Sequence, residues 1–192
     1  MFAQLYDRVM RYSAHPQASK YLCGLSFAES SFFPIPPDVM LAPMVVSRPN
    51  KAFWFAFLTT LFSVLGGIAG YFIGYFAFEM VEPWLQTTKY WPKYLEAREG
   101  FETWGVWLVI VAGFSPIPYK LFTITAGVLG QPIIPFILAS FVGRGGRFFL
   151  VAGLLKWMGP KIEPTLKKNI EWLGWISVVL LVVGFVWIKY FH

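Results

Sequence analysis

The chain is short of the residues that solution chemistry usually needs. Among its 192 residues there are one cysteine and two histidines. A lone thiol, Cys23, excludes an internal disulfide framework and reads as a small apolar residue in a packed segment. With only His15 and His192, no metal-ligand spacing exists, so neither a metal nor another cofactor is expected. There is no nucleophile elbow, HExxH, P-loop or dinucleotide fingerprint, and no visible nucleophile–base pair, so an enzyme is not expected. Residues 1–20 have no apolar stretch of the kind that marks a cleaved leader, and none is expected. Charge is scarce as well, at 14% of residues against 57% hydrophobic.

That balance is too apolar for a soluble domain of this size. Residues 52–78 carry no charge at all, and neither do residues 173–188. Runs of about 20 apolar residues, at about 1.5 Å rise each, cross a hydrocarbon core of about 30 Å. The sequence therefore predicts an all-α polytopic membrane protein, and the aromatic content of 20% suits interfacial belts. The net charge of +6 is spread over short loops between apolar blocks. It reads as orientation signals and contacts to anionic lipid rather than as a nucleic-acid surface.

Along the chain, residues 1–20 are a polar amphipathic start and 21–47 an apolar stretch crowded with prolines. A basic turn at 48–51 leads into a long span at 52–78. Residues 79–104 read as a polar connector with five Glu and three Lys or Arg. Residues 105–155 are apolar but broken at Pro116, Pro118, Pro132 and Pro135. After Lys156, Lys161, Lys167 and Lys168, residues 173–190 form a last span. No linker divides the chain, so 1–192 is a single membrane domain.

The stretch "FAESSFFPIPPDVMLAPMVV" (27–46) holds two carboxylates, Glu29 and Asp38, where a span would belong. Pro34, Pro36 and Pro37 remove backbone donors and push the residues before them out of helix. What remains is two half-helices of about 13 and 10 residues, roughly 20 and 15 Å long. A re-entrant hairpin is the simplest solution, and such backbone must be buried in protein or line a water-filled cavity.

A second copy follows. "FSPIPYK" (114–120) lies on "FFPIPPD" (32–38), with Pro116 on Pro34, Pro118 on Pro36 and Lys120 on Asp38. Downstream, "SVLGGIAGYFIG" (63–74) resembles "SFVGRGGRFFLV" (140–151), with Arg144 on Gly67 and Arg147 on Gly70. A broken hairpin followed by a glycine-bearing span thus occurs twice, the pattern of transporters built from repeats. With a cytoplasmic N-terminus the basic loops fall inside, which makes the two hairpins opposed and the repeat inverted.

Five charges lie in or beside apolar segments: Glu29, Asp38, Lys120, Arg144 and Arg147. Charge at the bilayer centre costs at least about 2.5–3.5 kcal/mol per residue, so each should pair or face water. One explanation is an ion-pair brace. Taken together, two acids and three bases leave a net positive pocket suited to an anionic headgroup. An acid desolvated there would permit proton coupling. Ser30, Ser31, Ser115, Thr123 and Thr125 are candidates to touch a substrate, although such hydroxyls more often bond to nearby carbonyls.

"ESSFFPIPPD" (29–38) resembles the Glu-x4-Pro-Ile-Pro-x-acid motif of the DedA family, also called the SNARE-associated or VTT-domain family. "GYFIG" (70–74), "GFSPIPYKLFTITAGVLG" (113–130) and "GRGGRF" (143–148) are similar to other blocks of that family, particularly its YqaA-like branch. The resemblance covers about 21–158. It implies a multi-pass protein of the bacterial inner membrane with two opposed re-entrant helices. It also implies lipid translocation, of undecaprenyl phosphate or of phospholipid. Family acids map onto Glu29 and Asp38. The family's arginine pair in the second hairpin is absent here: Lys120 stands at the later position and Phe114 or Ser115 at the earlier.

The expectation is therefore a lipid translocase for an anionic, phosphate-bearing lipid. Lys120, Arg144 and Arg147 would bind phosphate, Glu29 and Asp38 would respond to protons, and Pro34, Pro36, Pro37, Pro116 and Pro118 would break the re-entrant helices. Alternatives are a proton-coupled small-ion antiporter and a non-catalytic membrane scaffold. Anionic membrane lipids are the expected partners, and homo-oligomerisation stays open.

Overall fold

A computed structural model of the chain describes residues 13, 15, 17–32, 35–115 and 119–158. The breaker prolines Pro34, Pro116 and Pro118, the amphipathic start before residue 13 and the last span at 173–190 lie outside the described residues. Among the described residues there are helices and no strand. They are α1 (Ala18–Ser31), α2 (Asp38–Ser47), α3 (Ala52–Gln86), α4 (Trp91–Phe114), α5 (Tyr119–Val128) and α6 (Ile133–Met158), with a short 3-10 turn at Pro49–Lys51.

Local chemistry sets most of the boundaries. The α1 helix ends at Phe32, whose N–H still reaches the Ala28 carbonyl at 2.9 Å before the chain turns away. Pro37 caps α2 with φ −66°, where its missing N–H has no helical acceptor to lose. Asp38 opens α2, so its carboxylate lies at the positive end of the helix dipole. Pro43 sits inside α2, and the helix runs through it. The C-terminus of α3 is closed by Thr87 and Thr88, whose hydroxyls each donate at 2.7 Å to the carbonyls of Trp84 and Leu85. After α5 the chain makes a Schellman turn. Gln131 N–H reaches Ala126 O at 2.9 Å and Gly130 N–H reaches Gly127 O at 3.1 Å. That turn needs Gly130 at φ +66°, a region that side chains with a Cβ rarely adopt.

Two sequence boundaries change. The segment read as a polar connector at 79–104 is helical on both sides of a turn at Thr87–Tyr90. The sequence reading followed polarity, whereas the helical propensity of Glu, Lys, Arg and Ala there carries both helices onward. Of the breaks read within 105–155, Pro132 stands in the interruption between α5 and α6, whereas Pro135 does not break the helix. Pro132 precedes α6 and Pro135 lies in its first turn, where an N–H has no intrahelical partner.

The two long helices, counting the Pro49–Lys51 turn with α3, are apolar and long enough to cross a membrane. They run antiparallel. Phe53 stacks on Phe149 with centroids 6.1 Å apart, Thr60 faces Gly145, Ser63 meets Arg144, and Tyr71 meets Phe136 at 5.3 Å. Each long helix also packs against two shorter helices. On α3, Gly66 packs on the Phe27 carbonyl of α1, and Gly74 packs on the Ile124 carbonyl of α5. On α6, Gly143 packs on the Ile110 carbonyl of α4. The α2 residues Leu41, Met44 and Val45 share a buried cluster with Phe148 and Ala152 of α6. The helices α1 and α2 are followed by the long α3, and α4 and α5 by the long α6.

Apolar burial is divided between two clusters. One joins α1, α2, the start of α3 and the end of α6. The other joins the middle of α3, α4, α5 and the start of α6. Outside, α3, α4 and α6 expose Phe57, Phe72, Phe76, Trp107, Leu138 and Val142. Inside, Ser26, Ser30, Ser31, Thr59, Ser63, Thr123, Ser140 and Arg144 are buried. A greasy exterior around a polar interior is the distribution of a protein whose solvent is lipid.

Candidate functional site

The buried polar groups converge where the two helix breaks face α6. Arg144 lies on α6, and its guanidinium pairs with the Glu29 carboxylate of α1. Its Nε donates to Ser63 Oγ at 2.5 Å and its terminal nitrogen to Ser30 Oγ at 3.1 Å. Ser30 Oγ donates to Glu29 at 3.0 Å and lies 2.7 Å from Ser63 Oγ. Because Ser30 gives its proton to the carboxylate, Ser63 donates to Ser30. The result is a closed ring: Arg144, Ser63, Ser30, Glu29 and back to Arg144. The guanidinium carbon lies over the rings of both Tyr119 and Phe148, 4.8 Å from each centroid. Tyr119, the first residue of α5, is fully buried and donates its hydroxyl proton to Ser140.

One turn along α6, Arg147 makes a second bridge of a different kind. One terminal nitrogen donates to Asp38 Oδ2 at 2.6 Å, and the other to the Ser115 carbonyl at 2.8 Å. Asp38 begins α2 and Ser115 ends α4, so Arg147 ties the first break to the second. The two ion pairs differ in sealing. Side-chain exposure is 2% and 12% for Arg144 and Glu29, against 19% and 25% for Arg147 and Asp38. The other Asp38 oxygen, Oδ1, is buried without a hydrogen-bond partner among the described residues.

Lys120 is the second residue of α5 and half-buried, and no ion pair is formed by it among the described residues. Glu29, Asp38, Arg144 and Arg147 are thus drawn into two bridges, and Lys120 stands apart from both. Of the hydroxyls singled out from sequence, Ser30 joins the ring. Ser31 donates to the carbonyls of Phe27 and Gly66, both at 2.9 Å. Thr123 donates to Lys120 O at 3.0 Å. Sequence reasoning missed Ser63, Tyr119 and Ser140. Ser63 sat in an uncharged run with nothing to mark it. Tyr119 was legible only as the neighbour of Lys120 in the second proline block.

The alignment of 63–74 on 140–151 sets two glycines of α3 against two arginines of α6. Gly67 and Gly70 of α3 leave room for Tyr119 and Thr123 of α5. Their counterparts on α6, Arg144 and Arg147, instead reach across to Glu29 of α1 and Asp38 of α2. Where α3 packs tightly at these positions, α6 holds charge.

An all-helical body with an apolar exterior and a charged interior at interrupted helices defines a polytopic membrane protein of the transporter-like kind. The VTT domain family matches residues 35–156. The chain belongs to that family, the DedA family of membrane proteins. An uncharacterized protein of Haemophilus influenzae is 48% identical over 189 residues, covering 98% of each chain. An uncharacterized protein of Histophilus somni is 43% identical over 189 residues, covering 98% of this chain and 99% of its own. No solved structure matches. The family match begins at Ile35, just past the Glu29 end of the first motif.

Proposed function

We propose that the chain is a membrane translocase for an anionic, phosphate-bearing lipid such as undecaprenyl phosphate or a phospholipid. The observation that carries this reading is the Arg147 bridge, a partly open cation joining both helix breaks. A headgroup phosphate is the natural competitor for a guanidinium that holds one carboxylate oxygen and one carbonyl. Lys120, beside the second break, adds a positive charge for the same phosphate. Arg144 contributes positive potential while fixing Glu29. Asp38, with Oδ1 unpartnered, is the group to take a proton when Arg147 turns to phosphate, and Glu29 is the second proton-responsive acid.

Depth supports the site as a midpoint. Counted from the end where α1 and α3 begin and α2 and α6 finish, Glu29, Asp38, Ser63 and Arg147 lie about 13–17 Å in. That is about half a hydrocarbon core of about 30 Å. The antiparallel long helices, each preceded by a pair of shorter helices, support an inverted repeat of two opposed re-entrant hairpins. Lys20, Arg48, Lys51 and Lys156 gather at the first end, which favours that end, and the N-terminus, as cytoplasmic in a bacterial inner membrane. The sealing of the Glu29–Arg144 pair favours a second reading, a scaffold whose ion pairs brace the bundle.

Purified protein in liposomes with a fluorescent anionic lipid, with and without a pH gradient, separates these readings. Translocation that an Asp38→Ala/Arg147→Ala variant abolishes supports the translocase. Collapse of the gradient without lipid movement points to an antiporter. Full flipping by the folded variant removes these residues from the mechanism.

A further inference from the structure

The end of the bundle where α3 starts and α6 finishes carries charge of one sign. Lys20 and Lys51 are exposed, Arg48 lies in the turn before Lys51, and Lys156 closes the set. No described acid lies at this end. Glu29 and Asp38 are at the breaks, and Glu79, Glu82, Glu96, Glu99 and Glu102 flank the turn at the other end. Lys51 and Lys156 form no ion pair among the described residues.

Between these lysines the two antiparallel helices form an aromatic wall. Phe53 and Phe149 stack nearly parallel at 6.1 Å, and Lys156 Nζ sits 4.8 Å from the Phe53 centroid. Trp54, Leu150 and Leu154 are exposed beside them, and Gly153 faces the Phe53 ring without a side chain of its own. Cations at the mouth of an aromatic and aliphatic groove, at the level where the helices end, match a phospholipid in both of its parts. Basic recesses between membrane helices on one face are recognised settings for anionic headgroups.

We propose that an anionic phospholipid is held in this groove as a resident ligand. Its phosphate lies between Lys51 and Lys156, and its acyl chain runs along Phe53, Phe149 and Leu154. The proposed phosphate position is distinct from the Arg147 bridge, since Lys156 lies about 14 Å along α6 from Arg147, and it does not depend on translocation.

The test uses the full chain purified in a neutral detergent. Lipid binding is read by native mass spectrometry, and melting with added phosphatidylglycerol, phosphatidylcholine or inorganic phosphate. Phosphatidylglycerol should bind and raise the melting temperature, while phosphatidylcholine and phosphate do neither. A Lys51→Gln/Lys156→Gln variant should bind phosphatidylglycerol roughly 30-fold more weakly, about fivefold per lysine, with an unchanged melting temperature in detergent alone. Lys51→Arg/Lys156→Arg should retain binding. Equal binding by the glutamine variant, or equal stabilisation by phosphatidylcholine, overturns the proposal. Stabilisation by inorganic phosphate alone would make it a simple anion site and overturn it too.

Discussion

The two arginines of α6 should behave very differently when removed, and the difference can be worked from their surroundings. Arg144→Met leaves Glu29 charged at 12% exposure, with only Ser30 still donating to it. Removing one partner of a buried pair costs about 3–5 kcal/mol. At about 2–4 °C per kcal/mol for a chain of this size, the melting temperature should fall by roughly 6–20 °C. Arg147→Met exposes Asp38 to a site already one-quarter open. Its cost lies between surface and buried limits, about 1–2 kcal/mol, or roughly 2–8 °C. The decisive comparison is the double variant Arg144→Met/Glu29→Leu. Ser30 and Ser63 still bond to each other at 2.7 Å when both ions are gone. The double variant should therefore recover at least about 2 kcal/mol relative to the sum of the single changes. The assay is thermal unfolding in detergent, followed by size exclusion. Strictly additive losses, or a larger loss for Arg147→Met than for Arg144→Met, would refute the assignment of one sealed and one open bridge.

Other consequences are simpler. Gly74→Ala drives a methyl into the Ile124 backbone and should cost about 1–3 kcal/mol. Gly24→Ala, with open space around it in α1, should instead stabilise by about 0.5–1 kcal/mol in the same melts. Gly130→Ala must hold φ near +66° with a Cβ and should cost about 1–2 kcal/mol. In a Cys23→Ser background, Thr60→Cys with Gly145→Cys should be joined by a short thiol cross-linker. Thr60→Cys with Phe136→Cys should not, because Phe136 faces Tyr71 further along the antiparallel pair. Cross-linking of both pairs alike would undo the helix register.

Much of this bundle was legible before any coordinates. The proline blocks at 34–37 and 116–118 fall between the end of α1 and the start of α2, and between α4 and α5, although Pro34, Pro116 and Pro118 themselves lie outside the described residues. Gly66 and Gly143, aligned in sequence, each lie on a long helix against a neighbour's carbonyl, where close backbone approach leaves only glycine. The five intramembrane charges were visible as a set, but their pairing was not. Which arginine meets which acid depends on the phase of α6 against α1 and α2, set by Leu41, Met44 and Phe148 in one shared cluster. The connector at 79–104 misled for a related reason. Polarity signals what a segment touches, and its backbone is free to stay helical. Ser63 and Tyr119 were silent because a hydroxyl announces nothing until a partner arrives from elsewhere in the chain.

The most direct test is the rate at which reconstituted protein moves a fluorescent phosphate-bearing lipid, compared with a neutral lipid of equal chain length. Arg147→Gln, shown to fold by its melt, is the variant to compare. Wild type should move the anionic lipid at least about tenfold faster than the neutral one, a difference of about 1.4 kcal/mol in barrier, and Arg147→Gln should erase that preference. Equal rates for the two lipids, or an unchanged preference in folded Arg147→Gln, would contradict a phosphate path through the bridged helix breaks.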